Sequence, residues 1–254
     1  MSKRASNLAA SPVGENPRQD IVRGVQRGIP IVLGYLPLGF AYGVLAVQNG
    51  IPPIPAVLMS LFVFAGSGQF IAAGLWGMGA SVLSIVFTTF VVNLRHLLMA
   101  ASLAPWLRSF TRTQQALFGF ELTDETFALH SSAMRSGETA SLPLLYAANS
   151  TAHAGWIGGA VCGVLAGDVL PDPKLFGLDY ALPAMFLALL LPQCLRRLHL
   201  FAALFAGLLS VGLALAGTGR WNIIIATLAT ATVGALLMTY RDRHLLSRKK
   251  RGAA

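Results

Sequence analysis

The chain has 254 residues, of which 55% are hydrophobic and only 11% are charged. Soluble domains carry about 25% charged residues because their surface faces water, so this composition excludes an ordinary soluble protein and indicates an integral membrane protein. The net charge is +9, but the basic residues cluster at the two termini and at Arg196-Arg197, beside apolar runs. This placement follows the positive-inside rule and, without interleaved aromatic residues, argues against nucleic-acid binding.

The distribution of charge divides the chain into three regions. Residues 1–27 are polar and basic, lack the apolar block and cleavage site of a signal peptide, and are predicted to form a cytoplasmic tail. Residues 28–240 are predicted to form a single transmembrane transport domain. Residues 241–254 are predicted to form a second basic tail, which places both termini in the cytoplasm.

The long apolar runs predict an all-α, polytopic membrane protein, because a helix needs about 20 apolar residues to cross the hydrocarbon core. No Asp, Glu, Lys or Arg occurs between Gly28 and Leu94, and uncharged runs of span length recur later in the chain. Clear spans are predicted at 28–48, 143–169, 179–196, 198–217 and 221–240.

The number of spans depends on three ambiguous segments, 54–79, 80–104 and 114–132. If all three cross the membrane, the chain has eight spans. If 54–79 is a re-entrant pair of half-helices and 114–132 does not cross fully, it has six. The sequence therefore predicts six to eight spans, with discontinuous or re-entrant segments, and leaves the choice open.

Two polar motifs within apolar runs are candidate substrate contacts. The first, Gly66, Ser67, Gly68 and Gln69, interrupts segment 54–79, and irregular backbone at membrane depth is tolerated where it lines a cavity or is buried in protein. A half-helix N-terminus at such a cavity suits a substrate carboxylate. The second motif contains Asn93 and Arg95, which would bring an amide and a cation to the same cavity. The alternatives are a structural bend at the first motif and an Arg95 that reaches to the interface.

Acidic residues in segment 114–132 are candidates for proton coupling. Glu121, Asp124 and Glu125 have the i, i+3, i+4 spacing that places side chains on one face of a helix, with apolar residues on both flanks. Such a stripe would face a wet cavity and carry protons or hold a substrate ammonium group. His153, inside a predicted span, is a further candidate for the proton relay. The alternative is a cytoplasmic helix that lies at the membrane interface.

Gly155, Gly159, Gly163 and Gly167 recur every four residues and form one face of a predicted span. Glycine faces allow two membrane helices to approach closely, so this face predicts tight helix packing within the fold, or alternatively a subunit contact. Cys162 and Cys194 lie in apolar runs without a second ligand motif, so no disulfide, metal or cofactor is predicted. No enzyme motif occurs. A transporter therefore fits the sequence best, with a channel or carrier for a small solute as the alternative and an intramembrane enzyme as a remote one.

Several motifs together resemble the AzlC family over about residues 20–240. They are 34–43 (Gly-Tyr-Leu-Pro-Leu-Gly-Phe-Ala-Tyr-Gly), 62–70 (Phe-Val-Phe-Ala-Gly-Ser-Gly-Gln-Phe), 92–98 (Val-Asn-Leu-Arg-His-Leu-Leu), 102–105 (Ser-Leu-Ala-Pro), 122–129 (Leu-Thr-Asp-Glu-Thr-Phe-Ala-Leu) and 177–186 (Gly-Leu-Asp-Tyr-Ala-Leu-Pro-Ala-Met-Phe). Gly68 stands where alanine is more usual in this family. The motifs occur in the order that the family has them.

The resemblance implies the large subunit of a bacterial two-component exporter in the cytoplasmic membrane. Its expected substrates are leucine, isoleucine, valine and similar amino acids, and its expected partner is a small membrane subunit of the AzlD type. Export in this family is thought to use the proton-motive force. The substrate class comes from the resemblance alone, since nothing in the composition indicates branched-chain side chains.

Overall fold

The structure, a computed structural model, describes residues 16–139, 141–167, 197–217 and 228–236, together with isolated positions between the last ranges. All regular secondary structure in these residues is helical. The chain divides into two compact units, Met1–Pro183 and Ala184–Ala254. The all-α class is therefore confirmed for the described residues.

The described residues of the first unit form seven α-helices. They are α1 (Pro17–Gln48), α2 (Pro53–Phe62), α3 (Gly66–Gly77), α4 (Val82–Leu103), α5 (Arg112–Phe120), α6 (Asp124–Arg135) and α7 (Leu142–Gly167), and a 3-10 turn, Ala104–Leu107, extends α4. By length and composition, α1 and the segment Val82–Leu107 are each apolar enough to cross a bilayer. The count of six to eight spans stays a prediction.

The second unit contributes α8 (Arg197–Leu215). This helix overlaps the predicted span 198–217, and residues 228–236, inside the predicted span 221–240, are also helical. The predicted span 179–196 lies mostly outside the described residues, and the predicted tail 241–254 lies wholly outside them.

The first helix begins earlier than the sequence predicts. Asn16 caps α1 by accepting a hydrogen bond from the backbone N–H of Arg18 (3.1 Å), and a proline in the first turn suits a helix N-terminus. Asp20 is buried and accepts a hydrogen bond from the Ser141 hydroxyl (2.5 Å). The helix therefore starts within the predicted tail 1–27, where Asn16 caps it and Asp20 bonds Ser141. The division of the chain into two cytoplasmic tails and one transport domain stays a prediction.

The packing of α1 on α7 is the closest contact in the first unit. A Cβ atom built on Gly163 would overlap the Phe40 carbonyl, and one built on Gly43 would overlap the Ala160 carbonyl. A Cβ on Gly155 would come within 2.9 Å of the Val32 side chain. The glycine face of α7 thus packs on α1 of the same chain, and it is not available there to another subunit.

Segment 54–79 is broken into two half-helices, but not at the predicted position. The break falls between α2 and α3, and Phe64 adopts a left-handed backbone conformation with φ of 40°. Such a conformation costs a non-glycine residue about 1–3 kcal/mol. Phe64 is only 2% exposed and stacks on His153 with ring centroids 3.9 Å apart. Gly66-Ser67-Gly68-Gln69, expected to be the break, instead forms the first turn of α3.

Segment 114–132 is also broken, so the predicted acidic stripe on a single helix is wrong. Glu121 terminates α5, and Asp124 begins α6 one short turn later. Thr123 causes the new start, since its side chain accepts from the backbone N–H of Thr126 while Thr126 caps in return. The carboxylates of Asp124 and Glu125 then lie in the first turn of α6, where the helix dipole favours negative charge.

Candidate functional site

The two helix breaks meet at a group of buried and half-buried polar side chains, which we call the central polar cluster. Its members are Tyr35 of α1, Ser67 of α3, Arg95 of α4, Glu121, Asp124 and Glu125 of the second break, and His153 of α7. Six of the seven, all but Tyr35, are residues that the sequence analysis named as substrate or proton sites. The sequence did not show that they lie together.

Arg95 connects the two breaks. One guanidinium nitrogen lies 2.8 Å from Asp124 Oδ2, and the other donates to the Ser67 hydroxyl at 2.5 Å. The side chains of Arg95 and Asp124 keep 27% and 24% of their surface exposed, so the ion pair is reachable from outside the protein core. Because Ser67 opens α3 and Asp124 opens α6, Arg95 lies at the N-terminal ends of two half-helices.

Glu125 is held by α1. The Tyr35 hydroxyl donates to Glu125 Oε2 at 2.5 Å and lies 2.7 Å from the Thr123 hydroxyl. Tyr35 is 4% exposed and packs edge-on against Trp156, with ring centroids 5.5 Å apart. The carboxylate of Glu125 therefore accepts a hydrogen bond from a fixed and buried donor, the Tyr35 hydroxyl.

His153 of α7 lies beside Glu121. His153 Nε2 lies 3.0 Å from the Ser60 carbonyl oxygen, which only accepts hydrogen bonds, so Nε2 carries a hydrogen. The other ring nitrogen, Nδ1, lies 3.5 Å from Glu121 Oε1. The Ser150 hydroxyl steadies Glu121, with both carboxylate oxygens at 3.1 Å.

Gln69, a predicted substrate contact, is used inside the protein. Its amide nitrogen donates to the Ser60 hydroxyl, and its amide oxygen accepts from the Trp156 indole, both at 3.0 Å. Gln69 is fully buried. It therefore ties α3 to α2 and α7. Ser67 is equally buried, whereas the Arg95 side chain keeps 27% of its surface exposed.

Asn93 and Arg95 each carry a buried polar atom without a hydrogen-bond partner in the described part of the chain, the amide oxygen Oδ1 of Asn93 and Nε of Arg95. A buried unsatisfied group costs about 1–3 kcal/mol and calls for an explanation. Asn93 lies directly over Gly68, where a Cβ atom would come within 2.9 Å of its amide nitrogen. The small residue at 68 thus makes room for Asn93 beside the start of α3.

Sequence reasoning missed three residues that hold the cluster in place, Tyr35, Ser60 and Thr123. Tyr35 had a signal, because a tyrosine in an apolar span needs a partner for its hydroxyl. Thr123 also had one, since threonine followed by two acidic residues is typical of a helix start. Ser60 had none, because a lone serine in an apolar helix usually bonds its own backbone.

A cleft of about 280 Å³ lies between α2 and α7, away from the central polar cluster. Its lining is apolar throughout: Pro53, Ile54, Val57, Leu58, Val161, Val164 and Leu165. It offers nothing to orient a zwitterionic solute. In the described ranges no three His, Cys, Asp or Glu side chains are grouped to hold a metal ion.

Comparison with known proteins gives consistent matches. The AzlC protein family matches residues 30–170. An uncharacterized membrane protein of Archaeoglobus fulgidus is 34% identical over 82% of this chain and 90% of its own length. The inner membrane protein YgaZ of Escherichia coli is 31% identical over 85% of this chain and 88% of its own. The branched-chain amino acid transport protein AzlC of Bacillus subtilis is 29% identical over 82% of each. No solved structure matches significantly.

The family match extends from Pro30 in α1 to beyond the end of α7. It therefore includes both helix breaks, the central polar cluster and the glycine face. The Archaeoglobus fulgidus and Escherichia coli relatives are called membrane proteins, and two of the described helices, α1 and Val82–Leu107, have the length and apolar composition to cross a bilayer. The chain is a membrane protein of the AzlC family.

Proposed function

We propose that this protein exports branched-chain and other neutral aliphatic amino acids across the bacterial cytoplasmic membrane, with coupling to protons. The observation that carries the proposal is Arg95, a half-exposed cation at the start of two half-helices, whose partner Asp124 is itself ionisable. The name of the Bacillus subtilis relative, a branched-chain amino acid transport protein, supports the substrate class.

The polar groups near Arg95 suit a zwitterion. A substrate carboxylate would take the unpaired Nε–H of Arg95, the Ser67 hydroxyl and the free backbone N–H groups at the start of α3. A substrate ammonium group would donate to the unpaired Oδ1 of Asn93. One ligand class therefore satisfies a donor and an acceptor that the protein leaves without partners.

Substrate and proton would compete at Asp124. The ammonium group of a bound substrate would pair with the ionised Asp124 carboxylate, and a protonated carboxylic acid cannot form that ion pair. Protonation of Asp124 would therefore release the substrate, and binding of the next substrate would release the proton. Amino acid and proton would then occupy the site in turn and cross in opposite directions, as export driven by an inward proton gradient requires.

The experiment that tests this function uses cells that lack the gene and are loaded with leucine-containing dipeptides. The wild-type chain, expressed with its small AzlD-type partner, should lower intracellular leucine and valine. Arg95→Gln should export roughly 30-fold less, because a charge-assisted contact of about 2 kcal/mol is lost. Arg112→Gln changes an exposed arginine at the start of α5 and is the matched control.

Unchanged intracellular concentrations of leucine and valine with the wild-type pair present would rule out the exporter. Export of a different solute would favour the rival carrier.

The small AzlD-type partner is part of the proposal. Full export by the purified chain alone in liposomes would contradict it. The proposal is not an enzymatic one, since transport leaves the substrate chemically unchanged.

Both termini are proposed to face the cytoplasm, as the basic residues at each end suggest. Single cysteines at positions 2 and 253, in a chain whose Cys162 and Cys194 are replaced by serine, test this. An impermeant thiol reagent should label them only after the cells are lysed. Labelling in intact cells would reverse the topology.

A further inference from the structure

A second buried polar pair joins α6 to α7 outside the central polar cluster. His130 is 2% exposed and Asn149 is fully buried, and His130 Nε2 lies 2.7 Å from Asn149 Oδ1. Phe118 of α5 covers the ring, with centroids 5.4 Å apart. Burial of a histidine among apolar side chains is costly, so the pair calls for a reason beyond packing.

The pair lies about one helical turn from the central polar cluster along both helices. His130 follows Glu125 by five residues on α6, about 7.5 Å along the axis, and Asn149 precedes His153 by four residues on α7, about 6 Å along the axis. Toward the other end of α6, Arg27 and Glu138 form an ion pair at 2.8 Å that keeps 33% and 22% of its side-chain surface exposed. The electrostatic fields of both residues reach the His130 ring.

Polar contacts between α1, α6 and α7 therefore occur at successive levels. The first level is the partly exposed Arg27–Glu138 pair, and the second is His130 with Asn149. The third is the central polar cluster, with Tyr35, Glu125 and the Glu121–His153 contact. Met134 of α6 and Leu144 and Leu145 of α7 belong to one apolar cluster with Phe118.

The Asn149 amide indicates room for a further partner. Its nitrogen Nδ2 has no hydrogen-bond partner among the described residues. Exchanging the amide nitrogen and oxygen does not remove the difficulty, because the oxygen would then lack a donor. A water molecule at this position would satisfy the amide and bridge one turn toward the cluster.

We propose that His130 carries protons between the central polar cluster and the Arg27–Glu138 side of the protein, with Asn149 as its positioning residue. Asn149 fixes the ring by accepting from Nε2. A proton then arrives at Nδ1 and makes the ring a cation, and it leaves as a proton toward the carboxylates of the cluster, so that no bond other than N–H is formed or broken. This inference rests on the proposed function.

The test compares two activities in membrane vesicles that contain the full chain and its partner. Uphill leucine transport driven by an imposed pH gradient requires proton transfer, whereas exchange of labelled for unlabelled leucine at equal pH does not. His130→Gln keeps a side-chain donor but cannot be protonated, so uphill transport should fall by at least about 10-fold while exchange stays within about twofold of the wild type. His199→Gln is the matched control.

Exchange also shows that a variant has folded. Should His130→Gln fail to reach the membrane, Asn149→Ala provides the same comparison, because it leaves the ring in place but without its fixed acceptor, and uphill transport should again fall more than exchange. Normal uphill transport by His130→Gln would overturn this inference alone. Equal loss of both activities in both variants would overturn it too, since a structural role then suffices. A wild type that exchanges no leucine would overturn the proposed function itself.

Discussion

Asp124→Asn is expected to abolish uphill export of leucine, by roughly 100-fold or more, while leucine exchange between equal pools survives. The amide keeps the shape of the side chain and an oxygen that can accept from Arg95, which lies 2.8 Å away. It cannot take up the proton that the proposed competition between proton and substrate at this side chain requires. Exchange need not release a proton, so it reports binding without coupling.

The measurement is leucine flux in vesicles with and without an imposed pH gradient. Asp242→Asn makes the same chemical change in the basic C-terminal segment, outside the apolar runs of the sequence, and should match the wild type. Near-normal uphill export by Asp124→Asn at normal expression would remove this carboxylate from the mechanism. Glu121 and His153, which lie 3.5 Å apart, would then be the next candidates.

Gly163→Ala is expected to destabilise the protein by about 1–3 kcal/mol, the usual range for overpacking. The new methyl group would overlap the backbone carbonyl of Phe40, and a backbone atom cannot move aside as a side chain can. Thermal unfolding in detergent, followed by the loss of monodisperse protein on heating, measures the change.

Gly158→Ala is the matched control on the same helix. Its Cβ atom would meet only the Leu36 side chain, at an ordinary contact distance of 3.9 Å. The gain in helix propensity from glycine to alanine is up to about 1 kcal/mol, so this variant should be as stable as the wild type or slightly more so. Equal stability of the two variants would contradict the tight packing of α1 on α7.

Local patterns predicted much of this site. The i, i+4 spacing of Gly155, Gly159 and Gly163 predicts a close helix contact, and the structure places α1 against that face. The exact break in segment 54–79 was not predictable, because a left-handed residue is usually glycine, and the chain places Phe64 there beside several glycines. What holds Phe64 is its stacking on His153, which is distant in sequence.

The acidic residues show a different limit. Spacing alone suggested that Glu121, Asp124 and Glu125 share one helix face, whereas the capping residue Thr123 starts a new helix between them. The sequence contains this capping pattern, a threonine followed by two acidic residues, but the i, i+3, i+4 spacing of the acidic residues predicts one continuous helix instead. The ion pair of Arg95 with Asp124 depends on where α4 lies against α6, and no local pattern carries that information.

The pairing of α1 with α7 has a consequence for how the protein is made. Almost half of the chain separates the end of α1 at Gln48 from the end of α7 at Gly167. At roughly 5–20 residues per second, the ribosome needs several seconds to synthesise that stretch. During this delay Gly39 and Gly43 of α1 have no α7 to pack against. The close contact between the two helices forms only after α7 has been synthesised.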